Sequence, residues 1–132
     1  MLSNEIICYL LLIHTLADFG LQTDEQAKNK GEGNSFFNRH HFYHVGDYSL
    51  VWFLACIATS GLTAFTIVES VEFTIITFIC HYTTDWFTSR IGKPFWEKGD
   101  LHNGFLVVGL DQLLHFYQLI FTMSLLMPNQ DW

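Results

Sequence analysis

Charged residues are scarce in this sequence: Asp, Glu, Lys and Arg make up 14% of it, against about 25% in an ordinary soluble chain. Only 6 residues are basic, and with 13 acidic ones the formal net charge is −7. That balance excludes a nucleic-acid-binding face and a polybasic lipid anchor. Cysteine is sparse as well. Cys8, Cys56 and Cys80 show no CxxC spacing and read as small residues of apolar runs rather than a disulfide framework or zinc ribbon. There is no GxSxG, no Gly-rich phosphate loop and no Walker lysine, so nucleophilic serine chemistry has no support. Internal repeats and low-complexity tracts are missing too. The N-terminus has neither a basic region before its apolar stretch nor a small-residue cleavage site, which makes it a poor signal peptide. The first apolar segment is therefore expected to stay in the mature protein.

What the chain has in quantity is apolar and aromatic surface. Half of its 132 residues are hydrophobic and 17% aromatic, 13 of them Phe, enough for one domain and no second core. The mean hydropathy is +0.24, a value a buried soluble helical bundle would share. Four apolar segments, at about 5–22, 44–68, 71–87 and 103–127, predict an all-α, four-span transmembrane helical bundle. Ser3 or Asn4 is placed to cap the first segment and Ser70 the third. Residues 23–34 and the stretch after Arg90-Ile-Gly-Lys93-Pro94 read as polar loops, and Pro128 stops the last segment. Lys28, Lys30, Arg39, Arg90, Lys93 and Lys98, all the basic residues, lie in the loops after segments one and three. By the positive-inside rule those loops are cytoplasmic and both termini lie outside.

Against this background the polar residues inside the segments stand out. His14 and Asp18 are four apart, as are His81 and Asp85, and Asp111 and His115 in reverse order; His40, His44 and Asp47 open the second segment. Residues three or four apart share a helix face. A single such pair is ordinarily a helix-surface hydrogen bond. Here the stripes all fall in the cytoplasmic half of the predicted bundle and face a common axis. An unpaired Asp at a membrane-helix centre costs about 2.5–3.5 kcal/mol, against a gain of roughly 0.3–0.6 per Leu, Ile or Phe. These carboxylates therefore need a partner, and intramembrane ionisable residues are functional candidates by default. Imidazole and carboxylate at helical spacing suit a divalent metal, zinc foremost, with manganese or iron as alternatives. The candidate ligands are His14, Asp18, His44, His81, Asp85, Asp111 and His115. They exceed one tetrahedral shell, so either two metals are held or some carboxylates orient the histidines. His40 and His41 are adjacent, and at least one is expected at solvent or headgroups. Trp52, Trp86 and Trp96 read as lipid-facing or interfacial. Gln22, Lys30, Arg90, His102 and Gln112 border the site and are candidate contacts for an anionic substrate.

His14-x-x-x-Asp18-Phe-x-Leu-Gln22, Lys28/Lys30, His44, His81-x-x-x-Asp85 and Asp111-Gln112-x-x-His115 resemble the small membrane proteins catalogued as domain of unknown function 3307. The likeness covers nearly the whole chain and implies a bacterial or phage-encoded integral protein of the inner membrane. One departure is that Thr88 and Ser89 stand where the family tends to place a Lys soon after the third-span Asp. A looser similarity, to membrane-bound metal-dependent hydrolases, is analogy only.

The leading reading is a membrane-embedded, metal-dependent hydrolase acting on a phosphorylated metabolite or lipid headgroup at the cytoplasmic face. One of Asp18, Asp85 and Asp111 would be left as general base. Expected partners are membrane lipids and an anionic small molecule, without nucleic acid; an oligomer is compatible. Two alternatives stand beside it. One is a cation or proton transporter, which the apolar outer halves disfavour. The other is a non-catalytic membrane interaction protein with structural metal.

Overall fold

The computed structural model describes residues 3–33, 35–59 and 65–126. Among these the chain is all-α, with five helices and no strand: α1 (Asn4–Thr15), α2 (Asp24–Asn29), α3 (Arg39–Ala58), α4 (Ile67–Glu97) and α5 (Leu101–Leu126). A π-helical turn, Leu16–Gly20, continues α1.

The boundaries follow from local chemistry, and several differ from the sequence expectation. Ser3 caps α1. The polar stretch expected as a loop contains α2, because Thr23 and Gln26 form a reciprocal capping box. Asn38 caps α3, its Oδ1 accepting from the His40 and His41 amides. For α4 the cap is Thr66, boxed with Glu69, not Ser70, whose hydroxyl donates back to the Thr66 carbonyl. The second segment, expected to run to residue 68, is helical only to Ala58, and Ile67 already begins α4. The Ser60-Gly61 break and the Pro128 stop lie outside the described residues.

The largest difference is at Pro94, where α4 runs on to Glu97 through the expected loop. Pro94 forfeits one bond to the Arg90 carbonyl, but it stands one turn from the helix end, where a break would do little more. The true stop is Gly99, at φ 70°. Gly99 N–H donates to the Trp96 carbonyl and Asp100 N–H to that of Phe95, a Schellman pairing that needs a left-handed residue. Asp100 then accepts from the Asn103 amide and opens α5.

Helix α4 packs along both α3 and α5, and α1 lies against α5 and α3. Buried positions recur every three or four residues, and along each helix they pass from an apolar level to a polar one. On α1 and its π turn these are Ile6, Leu10, His14 and Asp18; on α3, Trp52, Tyr48, His44 and His41; on α4, Phe73, Thr77, His81 and Asp85; on α5, Met123, Leu119, His115 and Asp111. Trp52, expected to face lipid, is fully buried against Tyr48 and Phe73. Of the cysteines only Cys56 is in the core; Cys8 is exposed.

The outside carries much apolar surface. Leu12, Leu50, Ile79, Phe87, Leu106, Leu114 and Phe121 are among many large hydrophobic side chains left exposed. Among the described residues only α5 is both long and apolar enough to cross a membrane.

Candidate metal centre

The four polar levels meet at one height. Asp18, His44 and His81 each direct one ligand-type atom into a common space, as do His81, Asp85 and His115, and Asp18, Asp111 and His115; within each trio these atoms lie within 4.8 Å of one another. All six residues are buried. His44 Nε2 is 3.1 Å from Asp18 Oδ1, His81 Nε2 is 3.6 Å from the same oxygen, and the two Nε2 atoms are 3.3 Å apart. Bonds of about 2.0–2.1 Å place neighbouring atoms of a tetrahedral shell roughly 3.3–3.4 Å apart, so these three span one face of such a shell. Asp85 Oδ2, 3.5 Å from His44 Nε2, borders the same space.

The charges point the same way. Three buried carboxylates, Asp18, Asp85 and Asp111, face one half-buried cation, Lys30, whose ammonium donates to both oxygens of Asp85 at 2.9 Å. Burial opposes the Lys30 charge, but the Asp85 and Asp18 carboxylates outweigh it and hold its pKa above the ordinary lysine value. With neutral histidines, two negative charges remain uncompensated, the charge of one divalent cation. Asp18 Oδ1, His81 Nδ1 and both ring nitrogens of His41 and of His115 are buried without a well-formed hydrogen bond. Native proteins rarely leave such atoms without a partner.

The pairs read from sequence meet across helices more than along them. His14 does not touch Asp18. Its Nδ1 lies 2.8 Å from the Tyr48 hydroxyl and its Nε2 2.9 Å from Gln112 Oε1. Gln112 Nε2 in turn donates to Asp18 Oδ2 at 2.6 Å and to Asp111 Oδ2 at 3.2 Å. Because that amide nitrogen serves carboxylates, its oxygen must accept, which makes His14 an Nε2–H donor. His14 thus positions Gln112 and stands outside the ligand groups. His81 is stacked between Tyr48 and His115, at 3.9 and 4.0 Å between centroids. Only Asp111 and His115 approach along one helix, at 3.3 Å, and the Thr88 hydroxyl donates to Asp111 Oδ1. The π turn, closed by Leu21 N–H on the Leu16 carbonyl, carries Asp18; such turns recur at functional sites.

A cleft of about 540 Å³ adjoins this centre, with Asp18, Asp85, Asp111, Gln22, Gln112 and the lysines Lys28, Lys30 and Lys93 in its lining. Arg90 and His102, expected at its mouth, are not part of that lining. Arg90 donates to the Trp86 and Ser35 carbonyls with its guanidinium over the Trp86 ring, and His102 is exposed on α5. The expected His40-His44-Asp47 face also divides. His40 approaches Glu25 at 3.9 Å and Asp47 accepts from Gln26, both facing α2, while His44 alone turns inward. The inward neighbour is His41, stacked on Tyr82 and 3.7 Å from Asp85. Sequence reasoning gives His41, Tyr48 and Thr88 no place in the site. Their signal is spacing: 41, 44 and 48, and 85 and 88, continue each stripe by three or four.

Fold and site define a helical protein whose buried His/Asp clusters have the geometry to hold a metal ion. The chain belongs to the family described as "Protein of unknown function (DUF3307)", whose model matches residues 6–132. No curated protein and no solved structure matches it.

Proposed function

We propose that this protein is a membrane-embedded, metal-dependent hydrolase, with its His/Asp centre facing the cytoplasm and acting on a phosphorylated metabolite or lipid headgroup. The observation that carries the reading is the convergence of Asp18, His44 and His81 at ligand spacing, beside a cleft bounded by lysines. The donor set suits zinc first, with manganese or iron as alternatives. When bound, such an ion acts as a Lewis acid and makes water a competent nucleophile near neutral pH.

The chain's own residues supply the rest. Gln112 ties Asp18 to Asp111 and fixes where both carboxylates point. Asp111, the most accessible of the three buried Asp at 8%, is the general base, oriented by Thr88 and His115. Lys30 balances Asp85 and presents positive charge to an incoming phosphoryl group. Membrane embedding is supported by the many large Leu, Ile and Phe side chains exposed on the outside, while His and Asp cluster inside below an apolar core. The distribution of basic residues favours four spans with both termini outside. Above the site, Leu10, Trp52, Phe73, Leu119 and Met123 are buried together. This apolar plug would block an ion path and favours chemistry over transport.

The test is a hydrolysis screen of metal-loaded protein against phosphorylated metabolites and lipids. Metal-dependent phosphate or headgroup release, lost in Asp111→Asn, is expected. No turnover on any substrate with metal bound would move the reading to a structural metal.

A further inference from the structure

We propose that the cleft takes an amphiphile, a phosphate headgroup joined to an apolar tail, rather than a free phosphorylated metabolite. The inference rests on the metal-centre reading above and adds the substrate class. The cleft has a mixed lining. Lys28, Lys30, Lys93 and Gln22, whose buried Nε2 has no hydrogen-bond partner, line it together with Phe19, Trp96, Val107 and Val108, and Lys93 and Trp96 stand one turn apart on α4. A small charged metabolite gains nothing from those apolar side chains; a lipid tail does.

The apolar part of the lining adjoins exposed apolar side chains. Trp96 lies flat on Gly104, so closely that a Cβ there would sit 2.9 Å from the indole. It also meets Phe105, edge-on at 5.2 Å and 65% exposed on the outside of α5. Phe19, at 53% exposure, flanks the cleft from the π turn. An apolar strip therefore runs from the cleft over Trp96 to the exterior. A tail left along that strip would stay in the bilayer while its headgroup reached Asp111 and Gln112.

Charge adds a condition. The lining holds five carboxylates, Asp18, Glu32, Asp85, Glu97 and Asp111, against three lysines, so the cleft by itself repels an anion. Headgroup binding must then depend on the divalent ion.

The experiment compares a short-chain phosphatidic acid, glycerol phosphate and inorganic phosphate as ligands of the full-length protein in detergent, with zinc and with chelator. With zinc, the amphiphile should bind at least about tenfold more tightly than glycerol phosphate, the factor that burying roughly two methylene groups supplies. Chelator should abolish both. Trp96→Ala and, separately, Phe19→Ala should reduce the difference while leaving zinc content and phosphate binding intact. Equal binding of amphiphile and glycerol phosphate by zinc-loaded protein would overturn the inference and leave the metal centre standing. So would an advantage that survives in both variants. Failure to bind zinc at all would instead overturn the reading beneath it.

Discussion

Lys30, half-buried, and the buried Asp85 form the lysine–carboxylate pair of the site, which needs no metal, and its two partners depend on each other. Leaving a buried carboxylate unpaired costs about 3–5 kcal/mol. Lys30→Met is therefore expected to destabilise metal-free protein by roughly that amount, measured by chemical denaturation in detergent. In metal-loaded protein the loss should shrink, since the cation then compensates Asp85. A loss unchanged by metal would place Asp85 outside the centre. Gln112 offers a second residue-scale test. Its amide donates to Asp18 and Asp111, and Gln112→Glu would put a third negative charge between them. Activity is expected to fall by about 10²-fold or more, the scale for displaced catalytic groups. An unchanged rate would contradict the role given to Gln112.

At the scale of elements, the α4–α5 hairpin sets the position of Asp85 and Thr88 against Asp111 and His115. Its tightest point is Gly104 beneath Trp96. Gly104→Ala should cost about 1–3 kcal/mol by overpacking. Gly109→Ala on the same helix, with nothing within 4 Å of the added carbon, should be neutral or stabilising by up to about 1 kcal/mol. Thermal melts of the two variants read the contrast directly, and equal effects would mean that the Trp96 contact is not tight.

Elements were legible in sequence where apolar runs are long, and their ends were not. The four helices and the inward His/Asp stripes follow from spacing three and four. Helix α2 was hidden because a six-residue helix in polar sequence has no apolar period, only the Thr23 and Gln26 capping box. The apolar run of the third segment gives out near residue 87, whereas α4 continues through Pro94 to Glu97 and the left-handed Gly99 is the actual terminator. His14 was read as a ligand because spacing reports which face a residue occupies, not whether its nitrogens are already engaged, here by Tyr48 and Gln112. Spacing likewise does not report that Arg90 directs Nη1 and Nη2 to the Trp86 and Ser35 carbonyls, outside the cleft lining.

For the whole molecule, the proposal joins two statements, four spans and one metal centre at their cytoplasmic level. The span statement is tested with single cysteines at Glu32 and Ile67 in a chain whose three native cysteines are replaced. Membrane-impermeant reagent should label them from opposite sides, and same-side labelling would remove the four-span arrangement. The metal statement is the centre of the account, and metal analysis of the purified full-length protein tests it most directly. It should carry about one to two equivalents of zinc, manganese or iron per chain. His44→Ala and His81→Ala should lose most of it while keeping their helical content and membrane location. Wild-type protein that stays folded and takes up no divalent metal, even when it is supplied in excess, would contradict the account.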